Sequence, residues 1–144
     1  MSGSQTVRSN EVLLVDADYR TSQRLASLLR DDGFRVQVLC DGASALSRLA
    51  RSPLPGTLIT ELAVPVTDGE TIARYALSRD PHMRIVVLTR HPHLLKTETF
   101  EEPIPVVLTK PLDYTQLLQL LRETAPKNQP ARDSSSATRT GVRT

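Results

Sequence analysis

The chain has 144 residues, yet none of its apolar runs approaches the roughly 20 residues that a membrane-crossing helix needs. Its opening residues, Met1-Ser2-Gly3-Ser4-Gln5, contain no apolar signal core, so neither membrane insertion nor secretion is expected. Cys40 is the only cysteine, which excludes an internal disulfide and suits a reducing compartment; a cytoplasmic location is expected. A strong charge of one sign is also missing. The net charge is +2, and the segment from Ala125 onward holds Lys127, Arg132, Arg139 and Arg143 against Asp133 alone, leaving the remainder near neutral. A body of that kind offers no basic nucleic-acid face, and no DNA-binding helical module is visible, so a nucleic-acid partner is not expected for this chain. His82, His91 and His93 are scattered over loops and suggest no metal site. No internal repeat is present.

What the chain does contain is a regular alternation of strand-like and helical segments. Strands are predicted at residues 11–16, 34–38, 57–61, 84–89 and 104–109. The second alternates apolar and polar positions and is expected at a half-exposed sheet edge; the first, fourth and fifth are nearly continuous apolar runs that need cover on both faces. Helical stripes are Leu25, Leu28 and Leu29; Ala45, Leu46 and Leu49; Ile72, Ala73, Ala76 and Leu77; and Tyr114, Leu117, Leu118 and Leu121 on a last helix over 113–124. Asp18 and Asp41 suit helix N-caps, Asp68-Gly69 suits turn and cap chemistry, and Gly33 suits a left-handed C-cap. Residues 90–102, bracketed by Pro92 and Pro103, predict at most a brief, weakly amphipathic helix. With right-handed crossovers this pattern gives an α/β fold: a flavodoxin-like, doubly wound, five-stranded parallel sheet of order 2-1-3-4-5 with helices on both faces. The expected organisation is a flexible leader over 1–10, one domain over 11–124, and a disordered basic Ser/Thr/Pro-containing tail over 125–144.

Polar residues stand where the strands end: Asp16, Glu61, Thr89 and Lys110. In an open parallel sheet the carboxyl ends of the strands face one crevice, where ligands bind. Two carboxylates, a hydroxyl and an ammonium therefore meet in one small pocket.

Val15-Asp16, Glu61 with Pro65 and Asp68-Gly69, Thr89, and Lys110-Pro111, in this order and spacing, resemble the receiver domain of two-component response regulators over residues 11–124. The resemblance implies an acidic pair binding Mg²⁺ after strand one, a phosphate-accepting Asp ending strand three, and a hydroxyl and a Lys that contact the phosphoryl group. It also implies a cis Lys110-Pro111 peptide. Asp16, Thr89 and Lys110 match. Ala17 replaces the second acid, Glu61 replaces the acceptor Asp, and Val107 stands where an aromatic switch residue often sits. Mg²⁺ demands near-ideal oxygen geometry, so with Asp16 and Glu61 as the remaining candidates its binding is expected to be weak or absent. Glu is one methylene longer than Asp, and a displacement near 1 Å can cost about 10²-fold in an in-line transfer.

The expectation is a pseudo-receiver: no catalytic residue, no cofactor, and signalling through protein–protein contact independent of phosphorylation. The family resemblance implies a histidine kinase, an output protein or a second copy as partner. It places that contact on the face of helix four, strand five and helix five, here about 93–100, 104–109 and 113–124, with Leu94, Leu95, Val107 and Tyr114 on it. Glu61 either mimics the phosphorylated state or only pairs with Lys110. Two alternatives stand beside this reading. One is a working receiver that accepts phosphate at Glu61 or a neighbour. The other is a haloacid-dehalogenase-like phosphohydrolase with Asp16 as nucleophile and Asp18 as general acid/base, although no acidic pair follows Lys110 and Glu61 then has no role.

Overall fold

A computed structural model describes residues 9–102 and 104–123. The strands are β1 (Glu11–Val15), β2 (Arg35–Leu39), β3 (Thr57–Glu61), β4 (Arg84–Thr89) and β5 (Val106–Thr109); the helices are α1 (Tyr19–Asp31), α2 (Gly42–Leu49), α3 (Gly69–Arg79) and α4 (Tyr114–Arg122). The sheet is parallel throughout, in the order β2-β1-β3-β4-β5. β2 is an edge with an exposed–intermediate alternation, as its sequence predicts.

Side chains alternate across each strand, so the sheet separates two cores. Leu13, Val15, Leu58, Ile85 and Val87 face α2 and α3, where Ala45, Leu49, Ile72, Ala73 and Ala76 meet them. Val12, Leu14, Ile59, Val86, Leu88 and Leu108 face α1 and α4, against Leu25, Ala26, Leu29, Leu117 and Leu121. Leu14, Leu29, Leu49 and Leu117 are fully buried, each contributing roughly 1.5–3 kcal/mol by leaving water. Leu28 departs from its predicted inward stripe: it lies at the margin of that stripe and is 41% exposed.

All four helices begin with an Asp cap. Asp18, Asp41, Asp68 and Asp113 accept hydrogen bonds from the backbone N–H of Thr21, Ser44, Thr71 and Gln116. α1 ends at Gly33, whose φ of +98° suits a residue without Cβ; Gly33 N–H donates to Arg30 O and Phe34 N–H to Leu29 O.

Two expectations need correction. Between β4 and β5 the described residues form no α-helix, only single 3-10 turns at Pro92–Leu94 and Thr97–Thr99. Leu95 and Phe100, buried there, are five apart, a spacing that places them on no common α-helical stripe. β5 also begins at Val106 rather than 104, because Pro105 has no N–H to donate to a ladder. The leader through residue 8 and the tail from 124 lie outside the described residues.

Candidate functional site

Two strand-end residues and two residues that directly follow their strands create the site. Asp16 follows β1 and is 4% exposed; its Oδ1 accepts the Asp18 N–H at 2.8 Å, which turns the chain into α1. Glu61 is the last residue of β3, Thr89 the last of β4, and Lys110 follows β5. The Lys110 N–H donates to Thr89 O at 2.9 Å, so the strand pairing itself aims the lysine back across the sheet. The peptide to Pro111 is cis, as the family resemblance implies.

The lysine ammonium sits against the Glu61 carboxylate through Oε2 and lies 4.0 Å from Asp16 Oδ2. Glu61 Oε2 is buried and has no other polar partner. The side chains of Glu61, Lys110 and Asp16 are 16%, 17% and 6% exposed, so the pair is mostly withdrawn from water. Two carboxylates against one ammonium leave the trio with a net negative charge. Thr89 is buried and its Oγ1 accepts the His91 N–H at 3.0 Å, leaving the hydroxyl proton available to the pocket. Ala17 is exposed and contributes only a methyl group.

These residues do not fit Mg²⁺ well. A hard divalent ion needs several oxygen ligands, but the space between the two carboxylates is taken by an ammonium and the third acid is missing. Among the described residues no group of three or more His, Cys, Asp or Glu is placed to hold a metal ion. Asp18 is engaged as a cap: it accepts from Thr21 N–H and Oγ1–H, and these bonds, with a smaller pull from the Lys110 charge, hold its carboxyl below the ordinary range. The carboxylate that the phosphohydrolase reading would use as general acid/base is thus committed to the start of α1. Arg90, next to Thr89 in the chain, is exposed and makes no ion pair among the described residues.

The expected interaction-face residues do not all share one environment. Leu94 is 59% exposed, whereas Leu95 is 4% exposed and packs in the α2/α3-side core, which removes it from any docking surface. Val107 is partly buried against the same core. Tyr114 packs on the other side, where its hydroxyl donates to Asp32 Oδ2 at 2.7 Å, with Leu28 O at 3.0 Å.

Sequence reasoning missed what holds Glu61 in place. A Cβ on Gly69 would lie 2.3 Å from the Glu61 carbonyl oxygen, so α3 starts hard against the end of β3 only because residue 69 is glycine. Gly42 is pressed in the same way on Thr67, and its N–H donates to Pro65 O at 3.1 Å. Between these contacts Val66 adopts φ +76° while 83% exposed, in a turn closed by the Thr67 N–H to Pro65 O bond. The Asp-Gly pair carried a signal for a turn; nothing about a β-branched valine signals a positive φ.

Residues 12–122 match the family described as the response regulator receiver domain. The chain is 30% identical over 108 residues to the response regulator receiver protein CpdR of Brucella abortus strain 2308, covering 74% of this chain and 89% of that protein. It is 27% identical over 130 residues to the response regulator MprA of Mycobacterium avium strain 104, covering 90% of this chain but 57% of MprA. Among solved structures, a response regulator receiver protein from Sinorhizobium medicae WSM419 superposes with a TM-score of 0.70 at 30% identity, covering 78% of this chain and 94% of that one.

Proposed function

From the premise that this chain belongs to the response regulator receiver domain family of two-component signalling, we propose that it signals without accepting phosphate. Receiver domains work by contact with histidine kinases or output proteins. The observation that carries the proposal is the engagement of Lys110 by Glu61. Glu61 supplies a negative charge to the ammonium that a phosphoryl group would otherwise meet, though with −1 rather than about −2. Its carboxylate occupies the approach to Thr89 and Lys110, and Ala17 removes a metal-binding acid. The domain is then a protein-recognition module without catalysis of its own, acting in the cytoplasm. Its contact runs over the surface around the 3-10 turns, β5 and α4, with Leu94 and Val107 its accessible apolar groups.

Intact mass after incubation with acetyl phosphate and Mg²⁺ tests this. The unaltered chain is expected to gain no phosphoryl increment. Ala17→Asp with Glu61→Asp is expected to gain one that chelation abolishes, because the shorter acceptor retreats and three carboxylates then surround the metal position. Phosphorylation of the unaltered chain at Glu61 would establish a working receiver instead.

A further inference from the structure

The β2 edge carries a second feature, remote from the strand-end site. Leu39 packs toward the α2/α3-side core and Val36 and Val38 toward the other, so Arg35 and Gln37, in step with Leu39, lie on the α2 side of the strand. Two clefts meet at Gln37 and Arg48. One of about 170 Å³ runs along the start of β1 and β2, where Glu11, Arg35, Gln37 and Arg48 rim an apolar floor that includes Val12, Leu13 and Pro55. The other, of about 360 Å³, is lined by Gln37, Ser44, Ser47, Arg48 and Arg51. Arg48 Nε donates to Gln37 Oε1 at 3.0 Å, so this bridge forms the sill between two parts of one groove.

The arginines differ in what they already do. Arg48 donates to the carbonyls of Arg51 and Pro53, which closes the end of α2 but neutralises none of its charge. The side chains of Arg35 and Arg51 are exposed and make neither ion pair nor hydrogen bond among the described residues. Glu11 is the one carboxylate lining the groove. Long cationic side chains left unpaired beside Ser44, Ser47 and Gln37 form a donor-rich, positive channel. On the strand itself, Arg30 already donates to Val36 O at 2.8 Å, which blunts the edge against an added strand. A ligand is therefore read through side chains.

We propose that the β2–α2 groove docks an extended acidic peptide segment of a partner protein. A strand of five residues spans about 17 Å, the reach of five or six extended peptide residues. Nucleic acid fits less well, because carboxylates outnumber cations over the described residues as a whole and a duplex would meet that surplus. The positive charge is local, and so is the ligand it suits.

The test uses the full chain and a fluorescent peptide of six consecutive glutamates, followed by anisotropy. Arg35→Ser with Arg51→Ser is expected to weaken binding about tenfold, as two rim charges together amount to one decade in affinity. Arg20→Ser with Arg24→Ser, the same charge loss on α1, is expected to change it by less than about twofold. Raising salt to about 0.3 M should weaken the unaltered chain strongly. Circular dichroism should be unchanged throughout, since neither the Arg35 nor the Arg51 side chain holds another residue. Equal losses in the two double variants would reduce the effect to net charge and overturn the proposal. So would undiminished binding in Arg35→Ser/Arg51→Ser, absence of binding by the unaltered chain, or tighter binding of duplex DNA through the same arginines.

Discussion

The two ends of the sheet solve one problem with opposite charges. Every helix starts at the carboxyl end of a strand and returns toward the amino end, so free N–H groups collect at one end and free carbonyls at the other. At the carboxyl end Asp18, Asp41, Asp68 and Asp113 cap the helices. At the amino end arginines do: Arg48 closes α2, Arg79 donates to Leu49 O at 2.9 Å, and Arg84 donates to Leu120 O and Glu123 O at the end of α4. The arginines that cap these helices turn their donors to backbone, while Arg35 and Arg51 at the same end stay open. The aspartate end holds a withdrawn Glu–Lys pair, two glycines under close backbone contact and a valine at positive φ. Backbone strain gathers where the site is.

Breaking the arginine end should have the largest effect. The Arg84 side chain is 9% exposed, and charge-assisted hydrogen bonds contribute roughly 1.5–3 kcal/mol each. Arg84→Ala is expected to cost about 3 kcal/mol in urea unfolding, and Arg84→Lys to recover only part of it, since an ammonium lacks the two-pronged reach. An effect within 0.5 kcal/mol, roughly that of an ordinary surface change, would show that the amino end is not held by this side chain.

At the other end, Glu61→Ala should cost about 1–2 kcal/mol, below the 3–5 of a fully buried pair because the crevice is open at its rim. Glu61→Gln should cost less, keeping the shape and an acceptor oxygen. If the two substitutions shift the urea midpoint equally and negligibly, the pair contributes nothing.

Val66 sharpens the contrast with a change of opposite sign. A non-glycine residue at positive φ costs about 1–2 kcal/mol, while a glycine adds about 0.4–1 of unfolded-state entropy. Val66→Gly should therefore stabilise by about 0.5–1 kcal/mol, since an 83% exposed side chain loses little packing. A destabilised variant would mean that the valine is packed in solution.

The smallest effect is confined to alkaline pH. Tyr114 begins α4 and reaches Asp32, the C-cap of α1; burial first, and then the Asp32 bond, push its phenol up to about 12. The folded state thus favours the protonated phenol. Its contribution is complete below about pH 10 and is lost as pH rises toward 12. The decline in urea midpoint across that window should flatten in Tyr114→Phe, and identical profiles would exclude the phenol as its source.

Much of this arrangement is legible in the sequence, and the reasons differ by residue. Asp16, Glu61, Thr89 and Lys110 are readable because a parallel sheet brings all strand ends to one crevice, whatever the side-chain details. The Asp caps are readable because each precedes an apolar helical stripe. The 90–105 crossover is not, since two prolines exclude a regular element without saying what replaces it. Apolar residues in a short polar stretch look available, which puts Leu95 at the surface in a sequence reading; its burial comes from the α2/α3-side core, most of which is distant in sequence. Val66 could not be read at all, because local preference argues against the conformation that Gly42 and Gly69 impose around it.

The loop between β3 and α3 carries one more consequence, for how this protein could be lengthened. Gly69 N–H donates to Leu62 O at 2.8 Å, and Pro65 O is held by Gly42. Residues 63–68 are therefore fastened at both feet, and an extra residue near either foot would drive α3 off the end of β3. The tip at Val66 is 83% exposed and away from both feet. An inserted epitope or recognition sequence belongs there, because closing a few more residues at an exposed tip costs under about 1 kcal/mol while the feet stay where they are.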